Sequence, residues 1–218
     1  MKISNNTLSI LKNFSSINPS VAIKKGNVLK TISPQKSVMA MATLDQDMQG
    51  NAAIYDLSRF LSTLSLFEEP DLEFGTEKFT IKSGRSRVNY TYASESMILT
   101  PPDRDISLPS EDAKVDVAWS DFEKVMKAAA VLKLPDVTFI GSPEGIHLAA
   151  MDVSNPSADK FDVQLTEETS GNFTAVFRTE NLKILPGDYN VTISSKGISC
   201  FKGENVTYFV AVETTSKF

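Results

Sequence analysis

The chain has 218 residues, 41% of them apolar and 22% charged, which describes a globular chain and excludes a disordered one. That length suits one large domain or two of about 100 residues, either able to bury a core. Asp and Glu outnumber Lys and Arg by 27 to 22, and the resulting charge of −5 argues, at face value, against nucleic acid as a partner.

The first residues, Met1-Lys2-Ile3-Ser4-Asn5-Asn6, lack the apolar core of a signal peptide. No apolar run reaches the roughly 18 residues of a membrane span, so no membrane partner is expected. Ile3, Thr7, Ile10, Leu11, Phe14 and Ile17 recur every three or four residues, predicting a helix over 4–17 that Pro19 stops. A second helix is predicted from Asp56, a good N-cap, to about residue 67, closed by Glu68-Glu69-Pro70. Residues 79–82 and 88–92 alternate with period two and predict antiparallel strands. On the second of these, Arg85 and Arg87 share one face and Val88, Tyr90 and Tyr92 the other, the pattern of a half-buried strand.

Three prolines and several charges over 99–112 read as an exposed linker, giving expected domains of 1–105 and 106–218. Ser120 is the expected cap of a third helix, running to about Lys133 with Phe122, Val125, Met126, Ala129 and Leu132 inward. Strands are expected over 161–165 and 189–193, and a short fourth helix over 178–185 before Pro186-Gly187. The order helix, strands, helix, strands thus occurs twice, as in two repeated α+β domains.

No chemistry-bearing motif accompanies this plan. Cys200 is the single cysteine and His147 the single histidine, both on strand-like segments; this argues against a disulfide or a zinc site. Neither GxxxxGK[ST], GxGxxG nor GxSxG occurs, and the paired acids Glu68-Glu69, Glu111-Asp112 and Glu167-Glu168 fall in loops. An enzyme is therefore not expected, and neither is a cofactor or a metal.

The charge is unevenly distributed. The four predicted helices hold Lys12, Arg59, Lys124, Lys127, Lys133, Arg178 and Lys183 against Asp56, Asp121, Glu123 and Glu180, a balance of +3 that leaves −8 elsewhere. A ring with its helices inside would present a positive lumen to the DNA backbone and an acidic exterior. A non-DNA scaffold or virion protein with a duplicated α+β fold is the alternative reading.

Leu11-Lys12-Asn13-Phe14, Ala53-Ile54-Tyr55-Asp56-Leu57 running into Phe60-Leu61, Leu185-Pro186-Gly187-Asp188-Tyr189 and Tyr208-Phe209-Val210-Ala211-Val212-Glu213 resemble the sliding clamps of T-even-type tailed phages, in order and over the whole chain. The resemblance implies the DNA-clamp fold, with two repeated domains each carrying two helices packed on antiparallel sheets. It further implies a homotrimeric ring, a processivity factor that encircles double-stranded DNA without reading sequence and tethers the DNA polymerase. Also implied are a separate ATP-dependent clamp loader, late-transcription factors as further partners, and action in the cytoplasm of the infected bacterial host. The DNA-facing set would be Lys12, Arg59, Lys124, Lys127, Lys133 and Lys183. A partner-peptide pocket beneath the interdomain linker would include Ile106, Leu108, Ile198 and Phe209.

Overall fold

A computed structural model describes every residue of the chain except Asp105, Thr169 and Ser170. The chain forms two compact units, Met1–Asp103 and Arg104–Phe218. The boundary expected at residue 105 lies outside the described residues.

In the first unit, α1 (Asn5–Ile17) begins where the Ser4 side chain accepts the Thr7 amide, and its inward stripe is Thr7, Ile10, Leu11, Phe14 and Ile17. The strands β1 (Val21–Ile23) and β4 (Ala52–Ile54) pair antiparallel, as do β2 (Gly26–Ile32) and β3 (Val38–Met48). α2 (Leu57–Leu64) follows β4, capped by the Asp56 carboxylate on the Arg59 amide at 2.8 Å. It buries Leu57, Phe60 and Leu64 and packs beside α1. β5 (Asp71–Phe74), β6 (Lys78–Ser83) and β7 (Ser86–Thr91) form an antiparallel meander. Its core face brings Phe79 within 5.1 Å of Phe60, ring centre to ring centre, so α2 sits on this sheet through tilted and edge-on aromatic contacts.

The second unit repeats the plan of a helix packed on antiparallel strands. β8 (Ala113–Val117) leads into α3 (Trp119–Leu132), which packs on β9 (Asp136–Ser142), β10 (Gly145–Met151) and β11 (Phe161–Thr166). One sheet runs β11–β10–β9–β12, with β12 spanning Phe173–Arg178. Gly145 has φ 124°, and a Cβ there would lie 1.9 Å from the Thr166 carbonyl oxygen, so only glycine lets β11 lie this close. In the second sheet β8, β13 (Tyr189–Ser194), β14 (Ile198–Lys202) and β15 (Val206–Ala211) are successive neighbours.

Beyond Leu132, expected inward on α3 but exposed at the helix's last position, two sequence expectations need correcting. The fourth helix over 178–185 does not form: Arg178 ends β12, and a single 3-10 turn covers Thr179–Asn181. Leu182 and Ile184 are buried with Lys183 exposed between them, a period of two that no helix satisfies. Both backbone groups of Leu185 are also taken by phenols, its N–H by Tyr208 at 3.1 Å and its C=O by Tyr189 at 2.7 Å. Among its described residues the second unit therefore has one α-helix where two were expected. The cap of α3 is the other correction. Ser120 lies inside the helix, Ala118 stands at the N-cap without a side-chain bond, and the Trp119 amide donates to the Asp188 carboxylate at 2.8 Å instead.

Candidate nucleic-acid interface

Each helix buries an apolar stripe, which fixes what its other face offers. On α1 the residues turned outward are Asn5, Asn6, Ser9, Lys12 and Ser16, and on α2 they include Ser58, Arg59 and Ser62. Neither helix contains an acid. Because α1 and α2 pack side by side, Lys12 and Arg59 belong to one two-helix layer, amid hydroxyl and amide groups suited to phosphate oxygens.

α3 differs. Its Lys124 and Lys127 are exposed but pair within the helix, with Asp121 and Glu123 at 2.9 Å each. Exposed pairs of this kind are worth only about 0.3–0.5 kcal/mol and exchange readily for a phosphate. Lys133 is the left-handed C-cap at φ 55°, placing a cation where the helix dipole is negative. The exposed Lys183 lies on extended chain and not on a helix, and Arg178, at the end of β12, is held by the buried Asp136 at 2.9 Å.

Counting only the helices that form, four bases stand against two acids, a balance of +2 that leaves −7 elsewhere. The asymmetry is smaller than expected but keeps its sign, and its clearest part is the acid-free pair α1 and α2. Arg59 has a second engagement. Its guanidinium lies 6.0 Å from the centre of the Tyr90 ring, whose hydroxyl donates to the Asp56 carbonyl. Burial, opposed by the Arg59 charge, raises the Tyr90 phenol, which stays neutral and keeps the bond. The sequence did not reveal this anchor, because nothing local connects residues 59 and 90.

Ile106, Leu108, Ile198 and Phe209 are each half-buried. Pairing of Cys200 with Phe209 and of Ile198 with Ala211 places Ile198 and Phe209 on one face of β14–β15. Ile106 and Leu108 precede a stretch tied to the second unit: Ser110 and Ser194 share a hydroxyl hydrogen bond at 2.7 Å, and the Asp112 amide donates to the Ile193 carbonyl. Hydrogen bonds from the Ser110 hydroxyl and then the Ser195 amide hold the Asp112 carboxyl below its ordinary range. The half of the linker nearest β8 is thus anchored.

Burial pushes the Cys200 thiol up, away from the thiolate that nucleophilic chemistry needs. His147 stands 3.2 Å from Asp162. Among the described residues no group of three or more His, Cys, Asp or Glu is placed to hold a metal ion.

The open edges of the sheets matter as much as the helices. Residues Met1 and Lys2 cover the outer edge of β5, and the Met1 and Leu72 backbones exchange hydrogen bonds at 2.8 Å. Lys217 covers β12 in the same way through Thr174. Among the described residues of these two sheets, β7 and β11 pair on one side only.

Two α+β units with helices backed by antiparallel sheets form the DNA-clamp fold. The chain shares it with A. fulgidus PCNA, solved with the C-terminal region of FEN-1, at a TM-score of 0.69 and 16% identity over 96% of each chain. Residues 3–100 match the family model for the DNA polymerase processivity factor, and residues 114–214 that for the gp45 sliding clamp, C terminal. The sliding clamp of Vibrio phage KVP40 is 32% identical over 98% of this chain and 99% of its own. That of Enterobacteria phage T4 is 26% identical over 99% and 98%. The chain belongs to the sliding clamp family of DNA polymerase processivity factors.

Proposed function

We propose that three copies of this chain close head to tail into a ring around duplex DNA, with α1, α2 and α3 toward the phosphates. The observation that carries this reading is the acid-free outward face of α1 and α2 in a protein whose remaining charge is negative. Lys12, Arg59, Lys124, Lys127 and Lys133 then supply weak contacts that follow the backbone without reading bases. Lys183 joins them from extended chain. Processivity comes from topology: a closed ring slides but does not leave sideways.

The ring closes by strand pairing between β7 of one copy and β11 of the next, edges that nothing in their own sheets covers. Charge favours that partnership, since Arg85 and Arg87 flank or lie on β7, whereas Asp162, Glu167 and Glu168 lie on or follow β11. Val88 and Tyr90 would meet Val163 and Leu165 across the joint. Each copy has one edge of each kind, so the contact is heterologous and forms a ring where the rotation between copies closes.

The domain division falls within 99–112. The chain does no chemistry of its own: a separate ATP-dependent loader opens the ring, and the polymerase and late-transcription factors dock near Ile106, Leu108, Ile198 and Phe209 in the host cytoplasm.

Retention after loading tests the reading. The ring is expected to stay on circular duplex and run off linear duplex with free ends, and equal loss from both would overturn it. Lys12→Glu with Lys124→Glu and Lys127→Glu should reduce retention and flatten its salt dependence, by a slope of about 0.9 per lost phosphate contact. Light scattering should still report three times 23.9 kDa.

A further inference from the structure

A cleft of 390 Å³ in the first unit lies between the β1–β2 connection and residues 100–103, away from the helices assigned to DNA. Ala22, Val28 and Pro101 give it an apolar floor, with Val28 strongly exposed for a valine on a strand. Lys24, Lys25 and Lys30 surround that floor. Lys30 is half-buried and shares a strand face with Val28, so its stem runs along the cleft while its ammonium remains accessible.

One carboxylate already occupies the cleft. Asp103 accepts a hydrogen bond from the Lys24 ammonium at 2.8 Å. That bond, the charge of Lys24 and, less strongly, the charge of Lys30 hold the Asp103 carboxyl below its ordinary range. Two ammonium groups therefore act on one point where an acid sits. With three cations and one anion, the cleft keeps an excess of positive charge.

We propose that this cleft is a docking site for an acidic, extended peptide segment of a partner protein, carboxylates on Lys24, Lys25 and Lys30 and one apolar side chain on Ala22, Val28 and Pro101. Asp103 is the chain's own stand-in for such a carboxylate and competes with the incoming one. A peptide fits better than a nucleic acid because the apolar floor takes an apolar side chain and offers nothing to a sugar–phosphate chain. The site is separate from the half-buried set of Ile106, Leu108, Ile198 and Phe209, and does not rest on the ring reading.

The test uses the full-length protein and a fluorescein-labelled peptide Asp-Glu-Leu-Asp-Glu, with binding read by fluorescence polarisation. Saturable binding is expected, weakened about tenfold by Lys24→Glu with Lys30→Glu. Asp103→Asn is expected to tighten it about threefold, because the internal competitor is neutralised. A Lys-Ser-Leu-Ser-Lys peptide should not bind. Unchanged melting temperatures and unchanged retention on circular DNA would show that the variants fold and that the DNA-facing surface is intact. Absence of saturable binding, equal affinity of wild type and the Lys24/Lys30 variant, weaker binding by Asp103→Asn, or displacement of the peptide by a short duplex would each overturn the proposal.

Discussion

Tyr208 is fully buried on β15, and its hydroxyl accepts the Leu185 amide, while Tyr189 donates to the Leu185 carbonyl. Burial raises both phenols, so neither ionises near neutrality. Tyr208→Phe leaves the Leu185 N–H without that acceptor and should cost about 1–3 kcal/mol, measured by denaturant unfolding. Asp45 acts at the surface. Hydrogen bonds from the Ser4 hydroxyl, foremost, and from Thr7 hold its carboxyl below the ordinary value, tying the start of α1 to β3. A depressed carboxyl contributes stability that is present above its unfolded value and lost as pH falls through the folded one. The melting temperature should therefore drop more steeply in wild type than in Asp45→Asn between about pH 5 and pH 3. A parallel decline in the two would show that Asp45 is not coupled to folding.

The helices show how much of an element is set locally. Over α1 the apolar spacing, the Ser4 cap and Pro19 agree, and the helix forms where they predict it. Asp56 does the same for α2. At α3 the apolar stripe was legible through Phe122, Val125 and Ala129, though not at Leu132, which is exposed. The cap was not legible, since the donor's partner is Asp188, 69 residues away. The outcome of Asp188→Ala should be a loss of about 1 kcal/mol with greater amide exchange in the first turn of α3. Ser120→Ala should cost little, because that side chain caps nothing. Residues 178–185 contain helix-compatible residues, yet the burial of Leu182 and Ile184 and the two tyrosine bonds to Leu185 limit them to a single 3-10 turn. Tertiary packing outweighs propensities of a few tenths of a kcal/mol per residue.

For the whole molecule, the proposed ring would close through its open sheet edges. Parity from the Ser83–Ser86 pair onward turns Arg87 and Asn89 amides away from β6, toward the open side of β7. Arg85→Glu with Arg87→Glu should raise the concentration at which rings dissociate about tenfold, because exposed pairs contribute roughly 0.2–1 kcal/mol each and reversal adds repulsion. Light scattering over a dilution series checks this; a mass unchanged at every concentration would remove β7 from the joint. Some of the candidate surface was legible beforehand: Lys12, Lys124 and Lys127 follow from helical periodicity alone. The Tyr90 support of Arg59 and the extended setting of Lys183 were not, because each depends on residues distant in the chain.

The net charge of −5 belongs to the sequence, and so does its division between basic helical faces and an acidic remainder, since periodicity determines which side of a helix faces solvent. The plan of helix followed by strands was equally readable in both halves except for the helix expected over 178–185, with the resemblance to phage clamps. Tertiary structure alone decided that residues 178–185 form no α-helix, that Asp188 caps α3, and which sheet edges the chain ends cover. The physical reason is range. Apolar periodicity is written within a few consecutive residues, whereas a cap donated from another loop or an edge closed by a terminus depends on packing that joins residues tens of positions apart.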